Sequence, residues 1–230
     1  MKNKNLITLN QIIGMLFYSF GVSAIVFTSL GASPIDAATY YANELIPIFD
    51  GIIPNMSGQG VWLIIFNTII AIGLLIFSKR YNIWINILVS ISIGLIFNLG
   101  LFTYQKIFNI TGVMNNSSSL LLRIGIAFIG INMMSFGIAY LAYKKLYGTP
   151  FDELAIEVEK SIKKYYLSKI ILDGSFLIIA SILGIIYKDI FKQIGLFTIV
   201  VLAGLGPLIN IYINILTKNK NRKEMNNELK

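Results

Sequence analysis

Gly130-Ile131-Asn132-Met133-Met134-Ser135-Phe136-Gly137 lies inside an apolar run, about Leu120–Tyr143, long enough to cross a bilayer as one helix. The same pattern stands earlier as Gly14-Met15-Leu16-Phe17-Tyr18-Ser19-Phe20-Gly21, inside another such run. Gly14 recurs as Gly130 and Gly21 as Gly137, a constant offset of 116, and the Ser-Phe-Gly triplet recurs with them. At that offset Leu30 matches Leu146, Pro34 matches Pro150 and Asp36 matches Asp152. Further on, Gly94-x3-Asn98 recurs as Gly206-x3-Asn210, at an offset of 112. Shared Ile and Leu would be expected of any two membrane helices. Shared Gly, Pro, Asp and Asn would not, so the pattern reads as an internal duplication.

Six runs are long and apolar enough to span: about Leu9–Leu30, Val61–Ser78, Ile83–Tyr104, Leu120–Tyr143, Leu167–Tyr187 and Ile194–Leu216. Composition agrees. Of 230 residues 56% are hydrophobic and only 13% charged, and the mean hydropathy is +0.73. Soluble domains carry about 25% charged residues. The expected fold is all-α, a polytopic bundle of six transmembrane helices in one domain, residues 1–216, followed by a polar cytoplasmic tail, 217–230. Repeat one covers about 9–105 and repeat two about 120–216. Each repeat holds an odd number of spans, so consecutive copies must insert with opposite orientation, giving two inverted three-helix repeats. Secondary transporters are commonly built this way.

Fifteen of the 19 Lys and Arg fall on the side shared by the two termini, the 78–83 loop and the 144–169 segment. The other side holds only Lys106, Arg123, Lys188 and Lys192. The positive-inside rule then puts both termini in the cytoplasm of a multi-pass cell-membrane protein. The basic N-terminus precedes an apolar stretch with no small-x-small cleavage site, so the stretch reads as a retained helix rather than a signal peptide. The net charge of +8 sits at span ends and in Lys218-Asn219-Lys220-Asn221-Arg222-Lys223. That pattern suits anionic lipid headgroups, and no nucleic-acid partner is expected. The tail from Thr217 is polar and reads as disordered.

Each repeat's first span ends in Gly, then Ser/Thr-Pro-apolar-Asp: Gly31-Ala32-Ser33-Pro34-Ile35-Asp36 and Gly148-Thr149-Pro150-Phe151-Asp152. This is the chemistry of a helix stop and restart. Gly tolerates the left-handed turn, Ser or Thr sits at the N-cap, Pro at N1 and Asp at N3. Two readings stay open. The motifs start well-capped interfacial helices, or they aim helix N-termini into a central cavity where free amides bind a substrate. The connection Pro34–Gly60, with Ile46-Pro47-Ile48-Phe49 and Ile52-Ile53-Pro54, is apolar enough to lie in the interface or re-enter. Pro150–Tyr166 reads as an amphipathic cytoplasmic helix, Glu153, Glu157 and Glu159 preceding Lys160, Lys163 and Lys164.

The stretch Leu30-Gly31-Ala32-Ser33-Pro34-Ile35-Asp36 resembles the YczE/YyaS/YitT-like bacterial integral membrane proteins, whose first helix runs into Leu-Gly-x-x-Pro-x-Asp. Ser57-Gly58-Gln59-Gly60 is similar to that family's entry to its second helix, and Gly206-Pro207-Leu208-Ile209-Asn210 to its final helix. The second motif departs, with one residue rather than two between Gly148 and Pro150. The resemblance covers most of the chain and implies a transport-related membrane protein.

Polar groups in hydrocarbon mark pathways or packing contacts. Asp173 is the one acid well inside a span, with Lys169 a turn before it to neutralise it. Asn98 and Asn210 stand out among the amides because the repeat relates them. The substrate-site candidates are therefore Ser33, Pro34, Asp36, Asn98, Thr149, Asp152, Asp173 and Asn210. The repeated glycine pairs are expected to pack the two halves together, and Arg123 to anchor at the interface.

With no Cys and no His there is no disulfide and no thiolate or imidazole ligand, and no metal site or cofactor is expected. Nucleotide fingerprints are missing too. Asp36, Asp152 and Asp173 are the remaining acid/base candidates, and nothing in the sequence gathers them, so an enzyme is not expected. The primary expectation is a small-molecule transporter or permease subunit with a central site between the repeats. The alternative is a non-transporting accessory or scaffold protein docking a cytoplasmic partner through 150–166. A homodimer is an expected assembly, since six spans make a small bundle.

Overall fold

The computed structural model describes residues 9–47, 49–50, 57–78, 83–115 and 118–228. Lys2, Lys4, Lys79, Arg80 and the Ile52-Ile53-Pro54 stretch lie outside the described residues. Among those described the chain is all helical, with no strand. The helices are α1 (Leu9–Thr28), α2 (Pro34–Leu45), α3 (Gln59–Ser78), α4 (Ile83–Phe108), α5 (Leu120–Tyr143), α6 (Pro150–Ile162), α7 (Tyr165–Ile186) and α8 (Leu196–Glu228), with a 3-10 turn at Ile190–Lys192 before the last. Six of them, α1, α3, α4, α5, α7 and α8, are long and apolar enough to cross a membrane. This is a multi-pass membrane protein. Its spans lie within a few residues of those read from the sequence.

α1 is central and mostly buried, packed on α5 and α4. α1 and α5 run antiparallel, and four glycines let their backbones touch. A Cβ at Gly21 would sit 2.6 Å from the Gly130 oxygen, and one at Gly137 2.8 Å from the Gly14 oxygen. The pairing is reciprocal, as the repeated Gly pairs imply. α5 carries α8 as α1 carries α4.

The short helices differ from the spans. α1 ends at Thr28, and Ser29 takes a left-handed φ of 51°; after α5, Lys145 takes φ 54°, again 116 residues on. Gly31 takes a φ of 130°, and a Cβ there would sit 2.6 Å from the Thr198 amide nitrogen, so no side chain fits. Ala32 donates its amide to Gln193 and Phe197 donates to Leu30. The chain then turns into α2, which lies along α7. Tyr41 packs at a tilt against Tyr187, ring centroids 5.9 Å apart, and Glu44 accepts from the Tyr187 hydroxyl at 2.8 Å. α2 thus re-enters the bundle, with its N-terminus inside and its C-terminus at the turn after α7. α6 packs on α7 and α3, its first residues Pro150 and Phe151 buried.

Three expectations need correction. The amphipathic helix read at 150–166 ends at Ile162, and its start is wedged between spans. The tail is not disordered up to 228, because α8 continues to Glu228. Once a long apolar helix is nucleated, each added residue costs little even when polar. Arg123 is not a surface anchor. It is buried, and its Nε and Nη2 donate to the Thr28 and Ser29 carbonyls at 2.8 and 2.7 Å, closing the C-terminus of α1.

Candidate functional site

Ser33 is the N-cap of α2, Pro34 the N1 residue and Asp36 the N3 residue, as the motif requires. The cap itself is unmade. The Ser33 hydroxyl donates to Asp36 Oδ2 instead of accepting from the helix amides. Asp36 is 2% exposed, and its Oδ1 has no hydrogen-bond partner among the described residues. Its backbone oxygen accepts from Thr39 Oγ1 at 2.8 Å and from Gln59 Nε2 at 3.2 Å. Gln59 begins α3, and the next amide, Gly60, donates to Asn98 Oδ1 at 3.1 Å. One chain of contacts therefore joins Ser33, Asp36 and Asn98 through Gln59. Asn98 holds α3 against α4 within it.

The second motif makes the complete box. Asp152 N donates to Thr149 Oγ1 at 3.1 Å and Thr149 N to Asp152 Oδ2 at 3.2 Å. Phe151 packs edge-on against Phe176, ring centroids 5.2 Å apart. Lys169 Nζ stands 4.0 Å over the Phe151 ring, 3.6 Å from Asp173 Oδ1 and 4.0 Å from Asp152 Oδ1. One ammonium thus serves two carboxylates.

Lys169 brings Asp152 and Asp173 together, and Asp36 lies within electrostatic reach of Lys169 and Asp173. Asp36, Asp152 and Asp173 all lie within electrostatic reach of the buried Tyr18 hydroxyl on α1, and Lys169 and Asp173 within reach of Asp36. Burial pushes the Asp36 carboxyl up to about 7; the Ser33 hydrogen bond and Lys169 oppose this, and Asp173 adds to it. A cavity of about 250 Å³ lies beside the cluster between α7 and α8, lined by Lys169, Asp173, Pro207 and Asn210 among apolar residues. Asn210 lines this space and is exposed; Asn98 and Asp36 do not line it.

Residues 4–214 match a family described as a family of unknown function, DUF6198. The chain belongs to that family. Over 215 residues it is 26% identical to the Bacillus subtilis (strain 168) protein named Uncharacterized protein YyaS, covering 92% of this chain and 96% of that one. No solved structure matches.

In this DUF6198 chain the sequence reading missed Gln59 and Tyr18 as members of the site, and took Lys169 only as the partner of Asp173. A signal for Gln59 existed. Gln59-Gly60 and Asp173-Gly174 stand at an offset of 114, midway between the two offsets of the repeat. Tyr18 carried no such mark, since its exposure is decided by helices distant in sequence.

Proposed function

We infer that this protein is a small-molecule transporter or permease subunit, with its site between two inverted repeats. One observation carries the reading: matched helix pairs in the two halves are packed differently. A Cβ on Gly60 would lie 2.4 Å from the Gly94 oxygen, so α3 and α4 touch backbone to backbone. Their counterparts Gly174 and Gly206 have nothing within 4 Å, and the cavity occupies the space between α7 and α8. A carrier that alternates between two access states needs such an inequality, one half shut while the other is open. The two half-helices, each ending inside the bundle, add the interrupted elements on which transporter sites are built. With both termini in the cytoplasm of the cell membrane, the open gap beside Lys169 faces inward.

The scaffold alternative keeps only the exposed end of α6, where Lys160 pairs with Glu157 at 2.8 Å. Pro150, Phe151 and Ala155 are buried against the bundle and offer a partner nothing.

The test uses a chain that has no cysteine of its own. Gly174→Cys and Gly206→Cys together should cross-link when α7 closes on α8, arresting solute uptake in proteoliposomes until reductant is added. Protein that melts cooperatively yet moves nothing from a broad metabolite panel sinks the transport reading.

A further inference from the structure

Resting on the transport reading but tested without it, we propose that Asp36 is a reversible proton-binding site that sets the charge of the cluster Asp36, Asp152, Lys169 and Asp173. The coupling ion of the transport cycle is then a proton.

The argument begins with charge balance. Three carboxylates share one interior region with a single ammonium, and Lys169 is already committed to Asp152 and Asp173. Asp36 has only a neutral hydroxyl beside it, with Oδ1 buried and unpartnered among the described residues. An ionised carboxylate so placed carries a desolvation cost that no partner offsets, which neutralisation relieves. Among the described residues no other cation acts on it. α7 presents Lys169 and Asp173, α3 presents the neutral Gln59, α1 presents Tyr18, and α2 itself presents Ser33 and, a turn later, Thr39.

The occupant is a proton rather than a metal ion. Among the described residues no three acidic side chains converge closely enough to ligate one. The half-filled coordination of Asp36, one oxygen bonded and one open, suits a hydroxyl group. The step is a plain transfer. Hydronium gives a proton to the Asp36 carboxylate and leaves as water, one O–H bond forming as another breaks, with Lys169 remaining protonated. Ionisation restores a negative charge at the end of α2 that faces α7. Lys169 is held at no less than 3.6 Å from its present partners and sits on a long flexible stem. A turn of Lys169 toward Asp36 would loosen its hold on Asp152 at the start of α6.

Burial that raises this carboxyl to about 7 agrees with reversible exchange near neutrality. The two motif copies divide the work accordingly. Asp152 spends its carboxylate on the cap and on Lys169, while Asp36 leaves an oxygen free.

Infrared difference spectra of purified full-length protein, titrated between pH 4 and pH 9 as chosen buffers, read the site directly and need no substrate. The wild type should show a protonated-carboxyl band lost through neutrality, absent in Asp36→Asn and kept in Asp152→Asn. Should Asp36→Asn fail to fold, Asp36→Glu should keep the band with a shifted midpoint. A band that survives Asp36→Asn, or that Asp36→Glu leaves unmoved, overturns the proposal. Replacing choline with sodium or potassium should leave the midpoint in place; a falling midpoint assigns the site to an inorganic cation and also overturns it. If the titration appears while vesicles carry no solute, the proton site stands and the transport reading alone falls.

Discussion

Gly60 and Gly94 hold α3 against α4 so closely that neither tolerates a Cβ, while at Gly174 and Gly206, the positions the sequence pattern matches to them, a Cβ would meet nothing within 4 Å. The motifs before them differ in the same sense. Thr149 and Asp152 complete a reciprocal cap, whereas the Ser33 side chain bonds to the Asp36 carboxylate and makes no cap on α2. The half with the tight helix pair has the unfinished half-helix, and the half with the open pair has the finished one. Local sequence sets which contacts are available, and neighbours decide which are made. α2 leans on α7 of the other half, and α6 leans on α3, so each half-helix couples the two pairs.

Breaking the charge network of the open half should have the largest effect. Lys169→Met leaves Asp152 and Asp173 without a cation, and removing one partner of a buried pair costs about 3–5 kcal/mol. Lys160→Met, which breaks the exposed pair with Glu157, should cost about 0–1 kcal/mol. Thermal melts in detergent would separate the two, and equal losses would mean that the Lys169 cluster is solvated.

The Asp36 end of the comparison is sharpened by pH. Its folded carboxyl holds a proton up to about 7, against 3.8 for the unfolded chain. Below both values the protonation term vanishes. As pH rises between them the unfolded chain releases its proton first, so stability falls, and the loss is complete above 7. At about 1.4 kcal/mol per unit, the loss amounts to a few kcal/mol. Asp36→Asn should lack this slope, and melting the pair of proteins across the window checks it.

Next come the glycines. Gly60→Ala should cost about 1–3 kcal/mol through overpacking against Gly94 and Asn98. Gly174→Ala meets no atom within 4 Å and should gain roughly 0.5–1 kcal/mol from helix propensity. If closure of α7 on α8 belongs to the working cycle, the stabilised Gly174→Ala protein should nonetheless carry solute more slowly. Uptake at the wild-type rate would detach the open pair from the cycle.

The six spans and the α1–α5 glycine contact were legible because hydrophobic length and Gly spacing act within one helix. The pairing of Lys169 with Asp173 was legible for the same reason. What the sequence hid depends on which helices meet. Gln59 gains its role because α3 starts beside α2. Arg123 is drawn inward by the bare carbonyls of Thr28 and Ser29, which no pattern around residue 123 announces. The partition of the acids is the clearest case. Asp36 and Asp152 are equivalent in sequence, and only the position of Lys169 on one helix makes one paired and the other bare.

The smallest effect tests the caps themselves. Thr149→Ala removes an oxygen that accepts from the Asp152 amide, so α6 should lose about 0.5–2 kcal/mol. Ser33→Ala removes no cap, because the Ser33 hydroxyl accepts nothing from α2. Its stability cost should be the smaller of the two, and its main effect should fall on Asp36, which loses its one side-chain donor. That donor favours the charged form, so Ser33→Ala should move the Asp36 titration to higher pH while Thr149→Ala leaves it alone. Equal melting losses for the two alanines, with no movement of the titration, would mean that the copies cap alike and that their difference has no bearing on the proton.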